Sequence, residues 1–376
     1  GMSSLKTTAE NDCRNFEAGM RLAEAKQFIT EARFEDALNL LATLEPLLKL
    51  EADPHNYIVC LIYKSDALCR KGEITKALQL ITHTVKLALK KLGRMHLTTA
   101  DAFNMWGICC YFNGNITQTG VWYMVALNIR MAVVGNNHIK VADSYANVSA
   151  YYSQIKNYPK SIELVTKAIH IYEKLPNKNF NNLTNLAKLL NNLAIYYRRI
   201  NNRSLAYTYY HKSLRYKLAM FGENHPDVGD SYQSLGLCKY AEGEFLAALD
   251  YFKRALDIFK QFYPEQSRVL VDTYANIGTC HQYLDDFDQA LVFLLHALSI
   301  HNSLPNATTH HTLFNLLFSI GQCYYGQRLY KKALSIYKIN FKFWQQNPNK
   351  ASIDLKSLTL NVGNVYYRLK KYPLAL

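Results

Sequence analysis

The stretch that decides the fold is FGENHPDVGDSYQSLGLC, residues 221–238. Two related stretches occur earlier in the chain, VGNNHIKVADSYANVSAYY from residue 134 and LGRMHLTTADAFNMWGICCY from residue 92. Each contains a glycine, two further residues and a histidine, and then a small residue eleven positions after the histidine. A segment that returns at a regular interval is typical of a repeat protein, in which every copy is one structural unit.

The repeat is measured on its small residues, whose successive separations are 40, 42, 42, 45, 42, 42, 43 and 42 positions. The first column consists of Ala25, Ser65, Gly107, Ser149, Ala194, Gly236, Gly278, Gly321 and Gly363. The second column, twelve residues later, consists of Ala37, Ala77, Thr119, Ser161, Ala206, Ala248, Ala290, Ala333 and Ala375. Small residues within an i, i+3, i+4, i+7 apolar pattern let two helices approach closely, so each repeat is predicted to be a helical hairpin.

The recurring glycine and histidine are interpreted as helix punctuation. Glycine at the end of a second helix suits a left-handed cap, which predicts such caps at Gly93, Gly135 and Gly222. The histidines are predicted to start the following first helix rather than to bind a metal or take part in catalysis; they are His96, His138 and His225.

Length and composition predict a soluble, folded protein. The chain has 376 residues, 49% of them hydrophobic and 19% charged, and a repeat array can exceed the usual size of a single core. No run of eighteen apolar residues and no secretory leader is present, which favours a cytoplasmic location. Gly1 resembles a tag remnant, and residues 1–13 have no apolar period, so we predict a disordered leader there and the repeat solenoid over 14–376.

The sequence has no pattern that indicates catalysis or a cofactor. Phosphate-binding glycine loops, His-Glu-x-x-His and Gly-x-Ser-x-Gly are all missing, and the cysteines form no Cys-x-x-Cys pair. We therefore predict no catalytic residues, no metal, no cofactor and no enzymatic activity. Four cysteines lie two residues after a column glycine and are predicted to be small buried residues; they are Cys109, Cys238, Cys280 and Cys323.

The hairpin pattern resembles the tetratricopeptide repeat, and the period of about 42 residues resembles its kinesin light chain subclass. The segments that carry the resemblance are LLNNLAIYY (189–197), FGENHPDV (221–228) and ALDYFKRALDIF (248–259). The resemblance implies an all-α fold, a right-handed α-α superhelix of about nine helix-turn-helix repeats with first helices on the concave side. Since the ninth repeat stops at Leu376, we expect either a fragment of a longer chain or a covered end.

In repeats of this family, positions 2, 5, 6, 9, 12 and 13 of the first helix face the groove when the column residue is position 8. Six basic and five acidic residues occupy these positions, so the formal net charge of +14 is predicted to lie mainly on the second helices. A solvated outer face is the favoured interpretation of that charge, and a nucleic-acid or membrane-binding surface is the alternative.

Asparagine is the most informative groove residue, because a primary amide can pair with both the N–H and the C=O of an extended peptide. The resemblance implies a peptide-backbone role for the position-6 residues Asn147, Asn192, Asn276 and Asn361, and Asn104 and Asn191 lie beside them at position 5. Charge preference is assigned to a basic cluster of Lys188, Arg198 and Arg199 and to position-2 carboxylates at Asp143, Asp230 and Asp272, with Asp101 in the same column.

These observations predict a non-enzymatic interaction scaffold or adaptor that binds an extended peptide or a partner helix in the concave groove. An RNA-binding repeat protein, using basic outer helices and exposed tyrosines, is the alternative from another class. A third hypothesis is a peptide-responsive regulatory module of a longer protein.

Overall fold

The computed structural model describes residues 2–176, 178–304, 310–346 and 355–370, with side chains from residue 14 onward except that of His310. All regular structure within these residues is helical. The chain divides into two compact units, Gly1–Lys178 and Asn179–Leu376. The boundary between the two units falls between the fourth and fifth of the predicted repeats.

The first unit contains four helical hairpins, in which each first helix packs against the second helix that follows it. A short 3-10 helix, Glu45–Leu47, follows the second helix. The helices are α1 (Met2–Thr30), α2 (Phe34–Leu44), α3 (Pro54–Lys71), α4 (Ile74–Lys91), α5 (Leu97–Phe112), α6 (Ile116–Val134), α7 (Ile139–Gln154) and α8 (Tyr158–Glu173).

The second unit contains four more hairpins and the first helix of a ninth repeat. The helices are α9 (Phe180–Arg199), α10 (Arg203–Phe221), α11 (Pro226–Ala241), α12 (Phe245–Phe262), α13 (Arg268–Tyr283), α14 (Phe287–Ser303), α15 (His310–Gly326), α16 (Tyr330–Gln346) and α17 (Leu355–Arg368). The second helix predicted for the ninth repeat, with Ala375, lies outside the described residues.

The two columns of small residues mark the helix crossings, as predicted. Eight residues of the first column are buried and Gly363 is half-buried, and every described residue of the second column is buried. A Cβ added to Gly236 would come within 2.6 Å of the Phe252 ring on the second helix of the same hairpin. In the fourth hairpin, Ser149 and Ser161 each donate a hydrogen bond of 3.0 Å to the other's carbonyl oxygen across the crossing.

The predicted helix starts are confirmed and acquire a mechanism. In each of the three histidines, Nδ1 accepts a hydrogen bond of 3.1 Å from the backbone N–H two residues later; they are His96, His138 and His225. Asp53 performs the same role for α3, because its carboxylate accepts from the Asn56 N–H. These side chains satisfy helix-terminal donors that have no partner within the helix.

Two features of the helix ends differ from the sequence prediction. Gly135 and Gly222 have positive φ, but ψ is 178° and −174°, which is a region open essentially to glycine alone and not the left-handed cap that was expected. Helix α1 begins at Met2, within the segment that we predicted to be a disordered leader outside the fold. That prediction relied on the absence of an apolar period in residues 1–13. Such a period shows whether a helix can pack against the core, but a segment without one can still be helical.

Candidate functional site

A cavity of about 590 Å³ lies in the second unit between the first helices α11, α13 and α15. This volume falls in the range of ligand pockets, about 300–1,000 Å³. Most of the lining residues occupy the six positions predicted to face the groove; by helix they are Gln233, Leu237 and Tyr240, then Asp272, Ala275, Asn276, Thr279, Gln282 and Tyr283, then Asn315, Phe318, Ser319 and Gln322. We call this surface the α11–α13–α15 groove.

Amide side chains supply much of the polar lining of this groove. Asn276 is half-buried and makes no side-chain hydrogen bond within the described residues. Gln282 donates from Nε2 to Gln322 Oε1 at 2.8 Å, while its own Oε1 is buried without a protein partner among the described residues. A buried polar atom without a partner costs roughly 1–3 kcal/mol, which a ligand N–H at this place would recover.

Aromatic rings form the end of the groove near the C-termini of α11 and α13. Tyr283 is 54% exposed and stacks on Phe245, with ring centroids 4.7 Å apart and planes 9° apart. Tyr240 contacts Tyr283 edge to face, with centroids 5.7 Å apart. Burial, and then the hydrogen bond with Tyr283, raises the pKa of Tyr240, so this phenol stays protonated at neutral pH. This end can receive an apolar or aromatic side chain.

Two carboxylates of the position-2 column are engaged inside the first unit. Asp101 accepts from Arg130 at 2.7 Å and from Lys140 at 2.8 Å. Asp143 accepts from the Tyr172 hydroxyl at 2.5 Å. The charge-selecting role predicted for Asp143 therefore competes with a contact to its own second helix.

The column carboxylates of the second unit have weaker partners. The nearest cation to Asp272 is Arg268, whose Nε lies 3.9 Å from Oδ2, and both side chains are about half exposed. Asp230 has no ion pair or carboxylate hydrogen bond within the described residues, and its side chain does not line the cavity. Of the four column carboxylates, Asp272 is the one that lies in the groove with capacity for a ligand cation.

The predicted asparagines lie in four separate places. In the first unit, Asn147 Nδ2 donates to Asn104 Oδ1 at 2.8 Å, so these two amides partly satisfy each other. Asn191 and Asn192 lie half-buried on α9, and Asn361 lies on α17 with a buried Nδ2 that has no partner among the described residues. Asn276 alone of the six lines the cavity.

Position 6 alternates in the second unit between an amide and a hydroxyl, since Ser234 and Ser319 occur between the asparagines. Ser319 lines the cavity beside Asn276. A hydroxyl can donate and accept as an amide can, over a shorter reach. Position 6 therefore carries a hydrogen-bonding side chain in every repeat of the second unit, although that side chain is not always asparagine.

The predicted basic residues Lys188, Arg198 and Arg199 are spread along one helix. All three are exposed on α9, but ten residues of helix separate Lys188 from Arg198, which is about 15 Å along the axis. Reading positions 2, 12 and 13 as one site ignored the length of the helix. A single ligand side chain cannot contact both ends.

The basic second helices also need one correction. Lys217, predicted as part of a solvated outer face, is only 8% exposed, and its Nζ donates to Ser231 Oγ at 2.9 Å and to the Asp227 carbonyl at 3.2 Å. Burial lowers the pKa of Lys217; Asp227 and Asp230 oppose that effect and Lys188 adds to it. Lysines with long stems on outer helices can turn inward between repeats, which periodicity does not reveal.

Sequence reasoning missed Gln282, Gln322 and the aromatic pair Tyr240 and Tyr283. Gln282 and Tyr240 occupy position 12 of their first helices, Gln322 occupies position 9 and Tyr283 position 13. We had placed these positions in the groove but had examined them only for charged residues and asparagine. Weighing glutamine and tyrosine at those positions would have identified them, since both groups hydrogen bond and tyrosine also stacks.

The predicted structural cysteines are buried, and burial raises the pKa of the Cys280 and Cys323 thiols to about 12. Thiols with such values are poor nucleophiles at neutral pH. Within the described part of the chain, His, Cys, Asp and Glu side chains do not gather in threes suited to a metal ion. Among the helices described, none combines the length and apolar character needed to cross a bilayer.

Comparison with known proteins finds a repeat family that matches part of the second unit. A family model described as Tetratricopeptide repeat matches residues 185–261 and 269–338, which include the greater part of the α11–α13–α15 groove. Amyloid protein-binding protein 2 of Rattus norvegicus and that of Mus musculus are each 36% identical to this chain over 94 residues, 25% of this chain. That match spans 16% of the length of these curated relatives.

Solved structures with low sequence identity share the fold over almost the whole chain. The apo form of RapI has a TM-score of 0.69 at 15% identity and covers 95% of this chain and 96% of its own. The apo form of the quorum sensor NprR from B. thuringiensis has a TM-score of 0.67 at 12% identity, covering 96% of both chains. At these identities the likeness establishes the fold alone.

Proposed function

We propose that this chain, which matches the tetratricopeptide repeat family over residues 185–261 and 269–338, is an interaction scaffold whose α11–α13–α15 groove binds an extended peptide segment of a partner protein. The groove would hold the peptide without transforming it. The curated relatives are named for binding another protein, and one structural neighbour is named a quorum sensor, which agrees with a binding role.

The observation that carries the proposal is the unused amide capacity of the groove. Asn276 has no side-chain hydrogen bond and Gln282 Oε1 is buried without a partner, within the residues described. An extended peptide offers an N–H and a C=O at every residue, which matches amides of this kind. Each such bond contributes about 0.5–1.5 kcal/mol net, so several in register are needed for useful affinity.

The groove chemistry favours binding over catalysis. Its ionisable lining residues are Asp272, His311 and two tyrosines, and no hydrogen bond joins Asp272 to His311 among the described residues. General acid–base and nucleophilic mechanisms require a base within hydrogen-bond reach of the group it activates. The lining offers positioning groups and an apolar end in place of such a pair.

We predict that replacing Asn276→Ala and Gln282→Ala together lowers partner affinity about thirtyfold, because two hydrogen bonds worth about 1 kcal/mol each are lost. The measurement is affinity capture from a cell extract with and without ribonuclease, followed by titration of the retained partner. Asn302→Ala is the matched control, since Asn302 is exposed on the second helix α14.

Partners retained by the wild type and the Asn302→Ala control, but lost from the double variant, would support the groove as the binding site. If the double variant retains the same partners as the wild type, and ribonuclease removes them from both, the proposal is rejected and RNA binding on the basic second helices is favoured. Exposed residues that would carry that alternative are Lys253, Arg254, Lys331 and Lys332.

A further inference from the structure

Asp272 differs from Asp101 and Asp143 in the residue that occupies the equivalent place on the second helix of its hairpin. The equivalent place is 23 residues after the first-column residue, on the second helix of the hairpin. In the third repeat it holds Arg130, which donates a hydrogen bond to Asp101, and in the fourth it holds Tyr172, which donates to Asp143. In the seventh repeat the same place is His301, which is 2% exposed and whose two ring nitrogens have no partner within the described residues. Asp272 therefore lacks the internal donor that Asp101 and Asp143 have.

The described lining of the α11–α13–α15 groove offers no permanent cation in that place, and His311 is its one imidazole. Neither lysine nor arginine is among its lining residues, and Arg268 approaches Asp272 only to 3.9 Å with a side chain that is 57% exposed. The buried Gln282 Oε1 is a second acceptor in the same groove. A groove with an unpaired carboxylate and spare acceptors attracts a cationic donor and repels a carboxylate.

The distance between the carboxylate and the aromatic end sets a spacing for the ligand. Asp272 and Tyr283 are eleven residues apart on α13, which is about 16 Å at about 1.5 Å per residue. An extended peptide advances about 3.3 Å per residue, so the two ends are about five peptide residues apart.

We propose, on the basis of the function proposed above, that this groove selects peptides that seat a lysine or arginine side chain on Asp272 and an apolar or aromatic side chain against Tyr240 and Tyr283. The two ligand side chains lie about five residues apart along an extended segment. Acidic peptides are excluded, because they would bring a carboxylate to Asp272 with no lining cation to offset it.

The ionisation of Asp272 agrees with this geometry. Burial raises its pKa, while Arg268, His301 and His311 act in the opposite direction without cancelling the effect. The folded state therefore holds the charged carboxylate less favourably than the unfolded chain does, and this penalty is present at neutral pH and disappears as the pH falls through the raised pKa. A ligand cation relieves it, and Asp272→Asn should leave the melting temperature unchanged or higher.

The test uses fluorescein-labelled nine-residue peptide pools that carry random Ala, Ser, Gln and Val at all positions but two. In the basic pools Arg occupies the third position and Phe the eighth, or the reverse. Matched pools replace Arg with Glu or Gln, or replace Phe with Ala. Fluorescence polarisation gives the affinity for the wild type and for Asp272→Asn at about 50 mM and about 300 mM salt. Asp257→Asn, on the second helix α12, is the control with the same charge change at an exposed site outside the groove.

We expect one basic pool to bind the wild type about tenfold more tightly than its Glu and Gln counterparts, which corresponds to about 1.4 kcal/mol. That preference should be lost in Asp272→Asn and kept in Asp257→Asn. Replacing Phe with Ala should weaken binding to both proteins.

Two results would overturn the inference, and they are distinguishable. If all pools bind alike and Asn276→Ala weakens them equally, the groove binds peptides without selecting a basic side chain, so the proposed function stands alone. If Asn276→Ala leaves the affinity of every peptide pool unchanged, the proposed function fails as well.

Discussion

Phe252→Ala is expected to lower the free energy of unfolding by about 3–5 kcal/mol, the range for removing a fully buried aromatic side chain. Phe252 is 1% exposed and belongs to the core cluster that joins α12, α13, α14 and α15. Its ring packs where α11 and α12 cross, so close to Gly236 that an added Cβ would lie 2.6 Å away. The surrounding hairpin can collapse only partly into the space of a lost ring.

Urea denaturation followed by far-ultraviolet circular dichroism measures this effect. Phe262→Ala is the matched control, because Phe262 lies on the same helix and is 49% exposed. We expect the control to lose less than about 1 kcal/mol. Equal losses in the two variants would show that the small-residue crossing is not the core of the hairpin.

Asp101→Asn is expected to lower the free energy of unfolding by about 2–4 kcal/mol, because it leaves a buried guanidinium without its counter-charge. The Arg130 side chain is 7% exposed and hydrogen bonds to Asp101, to Ser144 Oγ at 2.6 Å and to the Lys140 carbonyl at 3.2 Å. The neutral amide can still accept one hydrogen bond, but it does not balance the charge.

The same contact predicts a pH dependence. Burial alone would raise the pKa of Asp101, but Arg130 and Lys140 outweigh it and lower the value below the ordinary 3.8. Because the folded pKa is depressed, the stabilisation is fully present above the unfolded value and is lost as the pH falls through the folded one. The difference in unfolding free energy between the wild type and Asp101→Asn should therefore shrink below about pH 4.

Asp250→Asn is the control for this prediction. Asp250 pairs with Arg254 at 3.0 Å on the second helix α12, and the two side chains are 61% and 57% exposed. Exposed pairs of this kind contribute about 0–1 kcal/mol. Thermal and urea unfolding of both variants across the acidic range would contradict the account if Asp250→Asn were the more damaging, or if the Asp101→Asn difference did not vary with pH.

The fold followed from the sequence because it depends on features that a sequence displays directly. The small residues of the two columns have to be small wherever two helices cross, so Gly236 and Ala248 reveal the hairpin without any knowledge of partners. The histidine caps could be predicted for the same reason, since a helix start needs a side-chain acceptor at one defined position.

The turn inside each hairpin shows where such signals stop. Seven residues after each first-column residue, the backbone has positive φ; glycine occupies the place at Gly72, Gly114 and Gly243, but other residues occupy it at Ala32, Lys156, Asn201, Asp285, Arg328 and Lys370. A non-glycine residue there is uncommon and is held by the surrounding helices. Local sequence therefore identifies only some of these turns.

The site was predicted less completely than the fold. A position in the repeat defines the face of the helix on which a side chain lies, but it does not define which other side chains that residue contacts. Asp101 and Asp272 share position 2, yet Arg130 engages the first while His301 faces the second. Lys188 and Arg198 both belong to groove positions, but the helix separates them by about 15 Å. Which carboxylate is available depends on a side chain 29 residues later in the chain, and this requires the three-dimensional packing.

Site-specific photo-crosslinking tests the central claim, peptide binding in the α11–α13–α15 groove, most directly. Ser319 lines the groove, and Ser335 is exposed on the second helix of the same repeat. Each serine is replaced in turn by p-benzoylphenylalanine, and the protein is irradiated with the labelled basic peptide pools. We expect covalent adducts at position 319 that excess unlabelled pool suppresses, and few at position 335. Equal adducts at both positions, or more at 335, would contradict peptide binding in the groove.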